Sequence, residues 1–206
     1  SIKKIKKIYG IVNNAGILGP KGKFEKVSMK DWRETIDINL YGSIYMCKYI
    51  LPHMIKNKEG KIIQLSGAGA LAPMTNFTAY SASKAAVVRF ADTLAVELKN
   101  SNIQINSLAA GAINTQMVNE IIKAGPKKVG NDFYRRMKLQ KKNGGIPFDD
   151  VTNLILYLLS NKSNFINGKI LSPRWDDWKK WKKNKKKISN SDVFSLRRIR
   201  GKDRKF

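Results

Sequence analysis

Hydrophobic and polar residues alternate along the chain in two kinds of segment. Short apolar runs bounded by glycine or polar turns are typical of buried strands, and longer segments with apolar residues three and four apart are typical of amphipathic helices. Four segments have the strand pattern: 7–16, 61–66, 103–109 and 168–173. Because these strands alternate with helical segments of ten or more residues, the pattern predicts an α/β fold with a doubly wound parallel sheet covered by helices on both faces.

Three segments have the helical pattern: 29–57, 77–99 and 148–161. Ser28 is placed to be the N-cap of the first helix, since its hydroxyl can accept a hydrogen bond from a backbone amide of the first turn. Gly42 and Pro52 are possible interruptions of the same helix. The segment from about 116 to 147 has no charge or aromatic pattern that identifies a substrate.

Length and composition are those of one folded, soluble domain. The chain has 206 residues, of which 42% are hydrophobic, enough to build a sizeable core. The single cysteine, Cys47, cannot form an internal disulfide, which suits a reducing compartment. One cysteine and one histidine, His53, do not make a zinc site of the usual kind. No apolar run reaches the roughly 18–20 residues of a membrane span, so we expect a cytoplasmic protein without a bound metal.

The formal net charge of +25 raises the alternative of a polyanion-binding surface. Residues 173–206 hold fourteen Lys and Arg against four Asp and Glu, and so carry +10 of this charge. We expect them to form a basic, Trp-rich extension that lies over residues 1–172 or is partly disordered, rather than a second domain. Three tryptophans are spaced as on one helical stripe: Trp175, Trp178 and Trp181. Packing of that stripe on the body or on another subunit is favoured over base stacking, so nucleic acid is not the expected partner.

A tyrosine and a lysine on the second predicted helix are candidates for acid–base catalysis. Tyr80 and Lys84 share one helix face because positions i and i+4 are neighbours. A lysine charge about 5 Å away, at an effective dielectric of about 20, is worth roughly 3 kcal/mol. This lowers the tyrosine pKa from about 10 toward neutral pH, although burial opposes the change. Such a tyrosine can exchange a proton with an alcohol or carbonyl oxygen, which is general acid–base catalysis.

Three further motifs lie where predicted strands end. They are VNNAG at 12–16, Ser66 after the second strand, and AAGAINT at 109–115. The carboxyl ends of parallel strands share one edge of the sheet, and ligands bind in the crevice beyond that edge. Small residues there allow the backbone to approach a flat ligand closely.

Taken in order, these motifs resemble those of the short-chain dehydrogenase/reductase family: NNAG, a strand-ending serine, Tyr-x-x-x-Lys and N-x-L-A-x-G-x-x-x-T. The resemblance covers residues 8–171. It implies a Rossmann-like sheet, NAD or NADP as cofactor, and hydride transfer between nicotinamide and a small carbonyl or alcohol substrate. It implies that Tyr80 is the catalytic acid/base and that Lys84 lowers its pKa and holds the nicotinamide ribose. By the same resemblance, Ser66 hydrogen-bonds the substrate oxygen and Asn39 supports a proton-relay water.

The resemblance also implies a set of residues that line the cofactor: Asn13, Ala15, Gly16, Tyr80, Lys84, Gly111, Ile113 and Thr115. The chain departs from the family pattern at two of these motifs. The spacing from Ser66 to Tyr80 is one residue longer than expected, so that Gly67 competes for the serine position without being able to supply a hydroxyl. The usual Pro-Gly after the third strand is Ala110-Gly111.

The largest departure is at the beginning of the chain. The family's first strand and its TGxxxGxG turn have no counterpart, and residues 2–8 have the pattern of a helix end. With βαβ units of about 30 residues, roughly 70–90 residues are absent. The prediction is therefore an N-terminally truncated member, whose full-length form the resemblance implies to be a homo-oligomer.

Two hypotheses of different class follow. The first is an NAD(P)-dependent oxidoreductase with a tyrosine acid/base. The second is a truncated, catalytically silent remnant whose basic surface binds polyanions, with a binding affinity that falls steeply as salt increases.

Overall fold

Four strands form one parallel sheet in the computed structural model, which describes residues 7–204. The strands are β1 (Gly10–Asn13), β2 (Gly60–Leu65), β3 (Ile103–Leu108) and β4 (Ile170–Leu171). They neighbour one another in chain order, and each neighbouring pair is parallel. The predicted α/β class and parallel sheet are confirmed. The helix end predicted within residues 2–8 falls mainly on positions that lie outside the described residues.

Helices connect the strands, and a further helix follows β4. They are α1 (Met29–Ile36), α2 (Gly42–Asn57), α3 (Thr78–Glu97), α4 (Gln116–Ala124), α5 (Pro126–Val129), α6 (Asn131–Asn143), α7 (Phe148–Leu159) and α8 (Lys185–Ser189). The three predicted helices are confirmed as α1 with α2, as α3 and as α7, whereas α4 to α6 occupy the segment at 116–147 for which the pattern predicted no element. Between residues 7 and 204, no helix is long and apolar enough to cross a membrane.

The first predicted helix does not break at Gly42 or Pro52. The Ser28 hydroxyl accepts a hydrogen bond from the Asp31 amide at 3.4 Å, which confirms the predicted N-cap. The backbone then remains helical from α1 through a π-helical turn, Asp37–Tyr41, into α2, where Pro52 is an interior residue. The irregularity in this helix therefore lies before Gly42, in a wider turn of a kind that often occurs at functional sites.

Adjacent residues of β2 point to opposite faces of the sheet and join different hydrophobic clusters. Ile62 packs against residues of α2, α3 and β3: Cys47, Ile50, Met54, Ala91, Ala95, Ile103 and Ile105. Ile63 packs against β3, α7 and the C-terminal segment: Leu108, Leu154, Leu158, Trp181 and Ile188. Because both faces of β2 are buried, a shift of one residue in strand pairing would exchange the two clusters, and the register is strongly fixed.

The C-terminal segment packs over the far edge of the sheet. The Ile170 amide of β4 donates to the Phe194 carbonyl at 2.7 Å, so the segment supplies a hydrogen-bond partner for the last strand. Trp181 is only 4% exposed, and its ring lies 5.2 Å from that of Phe194. Ile188 is buried in the same cluster. Residues 178–194 thus contribute to the core of the domain.

The tryptophans do not form one stripe. Trp178 and Trp181 lie on a 3-10 helix, Trp178–Asn184, and both pack on the cluster beneath α7. Trp175 precedes this helix and is 76% exposed, with the Arg174 guanidinium over its ring. The prediction was wrong for Trp175 because a turn, held by the Asp176 carboxylate accepting from the Ser172 amide at 2.7 Å, separates it from the helix.

The buried and exposed tryptophans give a matched test of the packing of this segment. Trp181→Ala should lower the free energy of unfolding by about 3–5 kcal/mol, because it leaves a cavity in the core. Trp175→Ala should change that free energy by about 0.5 kcal/mol or less. Urea unfolding followed by circular dichroism measures both values, and equal effects of the two substitutions would show that the segment does not pack as described.

Candidate active site

The carboxyl ends of β1, β2 and β3 lie at one edge of the sheet because neighbouring strands are parallel. The predicted motifs lie at these strand ends: VNNAG at 12–16 spans the end of β1, Ser66 follows β2, and AAGAINT at 109–115 follows β3. The topology thus brings the three strand-ending motifs to one edge, as the sequence predicts. A crevice beyond such an edge is the usual ligand position in an open parallel sheet.

Tyr80 and Lys84 lie in the first two turns of α3 with both side chains buried. They are 8% and 4% exposed, respectively. The Lys84 ammonium donates a hydrogen bond to the Leu65 carbonyl, the last of β2, at 2.8 Å and lies 5.9 Å from the centre of the Tyr80 ring. This contact joins the start of α3 to the end of β2 and places the pair at the strand-end edge.

Burial controls the protonation of this pair. It raises the pKa of the Tyr80 phenol and lowers the pKa of the Lys84 ammonium to about 8, because each charged form loses hydration. The prediction that the lysine charge brings the tyrosine pKa toward neutral is not met in this structure. The ammonium is directed at the Leu65 carbonyl, and desolvation is the dominant effect on the phenol.

Asn39 lies in the π-helical turn, is fully buried, and connects three elements. Its side-chain oxygen accepts from the Ile17 amide at 2.8 Å, and its side-chain nitrogen donates to the Ile17 carbonyl at 3.0 Å and to the Ser83 hydroxyl at 2.9 Å. Ser83 in turn donates to the Tyr80 carbonyl at 2.8 Å. Sequence reasoning did not single out Ser83, and its place between Tyr80 and Lys84 is the signal that could have marked it.

The loop after β1 approaches this network at Gly16. A Cβ at Gly16 would lie 3.1 Å from both the Asn39 side-chain oxygen and the Lys84 ammonium, so a side chain there would crowd both groups. Ala15 is exposed beside it. The Asn13 amide contacts the Cys47 sulfur at 3.8 Å, and burial raises the pKa of that thiol to about 11.

The loop after β3 is held by the segment that precedes α7. The Ile146 amide donates to the Ala112 carbonyl at 2.8 Å, and Ile113 forms a β-bridge with Gly145. Gly111 has a φ of +81° and is exposed, as is Thr115, the residue before α4. The loop therefore presents backbone and a hydroxyl at the sheet edge.

Ser66 and Gly67 are oriented differently from the expectation for a substrate-binding serine. The Ser66 side chain is buried, and its hydroxyl lies 3.5 Å from the Lys84 carbonyl of α3. The position that faces the tyrosine belongs to Gly67, because a Cβ there would lie 2.3 Å from the Tyr80 hydroxyl oxygen. The longer spacing between Ser66 and Tyr80 was the sequence signal of this change.

Comparison with known proteins finds reductases and dehydrogenases. A family model described as enoyl-(acyl carrier protein) reductase matches residues 1–172. A 3-oxoacyl-[acyl-carrier-protein] reductase from Buchnera aphidicola subsp. Baizongia pistaciae is 33% identical over 161 residues, which are 78% of this chain and 62% of that protein. A 7alpha-hydroxysteroid dehydrogenase from Escherichia coli K12 is 31% identical over 174 residues, covering 84% and 64% of the two chains.

The chain belongs to the short-chain dehydrogenase/reductase family. Two solved structures have the same fold: an NAD+-bound xylitol dehydrogenase, at 22% identity, and a gluconate 5-dehydrogenase from Burkholderia cenocepacia in complex with NADP and tartrate, at 23%. Both have a TM-score of 0.72; each comparison covers 83% of this chain, and 69% and 65% of the respective solved chains. This short-chain dehydrogenase/reductase spans about three fifths of the length of the first curated relatives it matches.

The lowered pKa of Lys84 gives this family member a testable dependence of stability on pH. Between the folded pKa of about 8 and the usual value of 10.5, the unfolded state binds more protons than the folded state. The contribution of Lys84 to stability therefore rises with pH in this window. Relative to the wild type, Lys84→Met should lose about 2 kcal/mol of that rise between pH 8 and 10.

Urea unfolding at several pH values measures this difference. Lys61 has a pKa also lowered to about 8 by burial, but it is present in both proteins and cancels in the comparison. The matched control is Lys99→Met, at an exposed site, which should keep the wild-type profile. Parallel profiles for wild type and Lys84→Met would show that the buried ammonium is not held as described.

Proposed function

We propose that this chain forms the nicotinamide- and substrate-binding part of an NAD(P)-dependent oxidoreductase that interconverts a small carbonyl compound and its alcohol. The observation that carries the proposal is that Tyr80, Lys84 and Asn39 lie together at the carboxyl edge of a parallel sheet. Asn39 is linked through Ser83 to the Tyr80 carbonyl, and Lys84 donates to the last carbonyl of β2. Named relatives among the reductases and dehydrogenases of the same family support it.

The strand-end loops suit a flat cofactor. Gly16 provides backbone without a side chain next to Lys84 and Asn39, where a Cβ would fill the space. We propose that the cofactor, NAD or NADP, is lined by residues of the loops after β1 and β3 together with α3: Asn13, Ala15, Gly16, Tyr80, Lys84, Gly111, Ile113 and Thr115. When bound, its nicotinamide would give or accept the hydride.

In this proposal, Tyr80 donates and accepts the proton. Because burial raises its pKa, the phenol is protonated at neutral pH and can donate to the oxygen of a carbonyl as that oxygen gains negative charge. In the reverse direction the phenolate would accept the proton of the alcohol. The Lys84 ammonium, fixed by the Leu65 carbonyl, supplies a positive charge that stabilises the phenolate after transfer.

Asn39 has a supporting part in this scheme. Its amide is fully used in hydrogen bonds to Ile17 and Ser83, so the side chain fixes the positions of the loop after β1 and of α3. We propose that its backbone in the π-helical turn supports a proton-relay water, as the family resemblance implies. The Asn39 carbonyl accepts a hydrogen bond from the Ser43 hydroxyl at 3.2 Å.

The alternative of a catalytically silent, polyanion-binding remnant is not favoured. The exposed lysines of residues 179–187 supply positive charge, but the relatives are oxidoreductases. The tyrosine, lysine and asparagine also lie together: Asn39 is linked through Ser83 to the Tyr80 carbonyl, and the position of a Cβ at Gly16 is 3.1 Å from both the Asn39 side-chain oxygen and the Lys84 ammonium. Assembly into a homo-oligomer stays a prediction that sedimentation velocity would measure.

Tyr80→Phe tests the proposed proton transfer. The substitution keeps the buried ring and removes only the hydroxyl, so turnover should fall by about 10²–10⁴-fold, the usual contribution of general acid–base catalysis. Binding of NADH or NADPH, followed by its fluorescence, should change less than about twofold, which is under 0.5 kcal/mol. The measurement uses the product of the complete open reading frame, with the 206-residue chain in parallel.

Tyr157→Phe is the matched control, since Tyr157 lies on α7 and packs against Trp178, in the cluster beneath that helix. It should leave turnover at the wild-type value. Wild-type turnover in Tyr80→Phe would contradict the assignment of Tyr80 as the acid/base.

A further inference from the structure

The backbone conformation at Gly67 does not require glycine. Its φ and ψ are −169° and 172°, an extended conformation that any residue adopts. What excludes a side chain is Tyr80: a Cβ at Gly67 would lie 2.3 Å from the tyrosine hydroxyl oxygen and 3.1 Å from the ring carbon that carries it. The absence of a side chain at Gly67 therefore leaves room for the Tyr80 hydroxyl.

The tyrosine cannot easily move away from such a side chain. Its ring packs in a cluster with Leu18, Phe77 and Ile121, and Phe77 is fully buried. Its backbone carbonyl accepts from Ser83, which also accepts a hydrogen bond from the Asn39 side chain. Packing thus restrains the ring, and the hydrogen bond fixes the backbone that carries it, with the hydroxyl against the backbone at the end of β2.

The Ser66 hydroxyl already has a hydrogen-bond partner on the backbone of α3. Ser66 is 7% exposed, and its hydroxyl is directed at the Lys84 carbonyl, on the backbone of α3. A hydroxyl used in this way packs the strand end against the helix and does not face the cleft. The side of the cleft opposite the tyrosine is then formed by the bare backbone of Gly67.

We propose that Gly67 is a positioning residue that gives the Tyr80 hydroxyl its place against the strand end, and that this enzyme transfers the proton through Tyr80 without a serine hydroxyl opposite. Ser66 then has a packing role. The part of the proposal that concerns proton transfer rests on the proposed oxidoreductase function. The part that concerns the contact between Gly67 and the Tyr80 hydroxyl can be tested without turnover.

A double-mutant cycle on stability tests the steric part in the 206-residue chain. Gly67→Ala should lower the urea midpoint of unfolding, and it should lower it clearly less in a Tyr80→Phe background, where the oxygen at 2.3 Å is absent. Gly69→Ala is the matched control, because its Cβ would meet the Ser81 hydroxyl at 2.7 Å instead. Its effect on the midpoint should be the same in both backgrounds. Equal effects of Gly67→Ala in the two backgrounds would overturn the proposal.

Kinetics test the catalytic part in the product of the complete open reading frame. Gly67→Ala and Gly67→Ser should each lower kcat by at least about tenfold and displace the pH profile of kcat, because they move the phenol; about tenfold corresponds to 1.4 kcal/mol. Ser66→Ala should retain kcat within about twofold, with an unchanged pH profile.

A gain of activity in Gly67→Ser, or loss of activity in Ser66→Ala, would overturn the proposal. Absence of turnover in the wild type would refute the proposed function, while the stability cycle would still decide the role of Gly67.

Discussion

The buried side-chain amide of Asn39 fixes the loop after β1 against the start of α3. Asn39 is completely enclosed, and its three hydrogen bonds join the loop after β1 to the start of α3. A buried amide left without partners costs roughly 1–3 kcal/mol per lost group, so the loop and the helix are fixed relative to each other. Asn39 belongs to the π-helical turn between α1 and α2, and its hydrogen bonds join Ile17, the residue after Gly16, to Ser83.

The same enclosure gives the tyrosine and lysine their protonation properties. Both are removed from water by the packing of α3 on β2, which favours a protonated phenol and makes the ammonium easier to deprotonate. A phenol that retains its proton is suited to donate it to a developing alkoxide. In the proposed mechanism, burial favours the donor state of Tyr80, and Lys84 would act on the phenolate only after the proton has left.

Much of this arrangement could be predicted from local pattern, and some of it could not. Strand and helix periodicity located the sheet and the long helices, because Ile62 and Ile63 are both apolar in a short run and Tyr80 and Lys84 have helical spacing. The side-chain direction of Ser66 was signalled only by its spacing to Tyr80, which is one residue longer than expected, and spacing alone does not show which of Ser66 and Gly67 faces the cleft. The burial of Trp181 beside an exposed Trp175 depended on a turn held by Asp176, which spacing does not reveal.

The most direct measurement is a crystal structure of the product of the complete open reading frame with NAD+ bound. If the strand-end edge is the cofactor site, the nicotinamide ribose will lie within about 3.2 Å of the Lys84 ammonium, beside Gly16, with the Tyr80 hydroxyl next to the nicotinamide. A cofactor bound away from the carboxyl ends of β1 to β3, or a nicotinamide separated from Tyr80 by another residue, would contradict the assignment of this site.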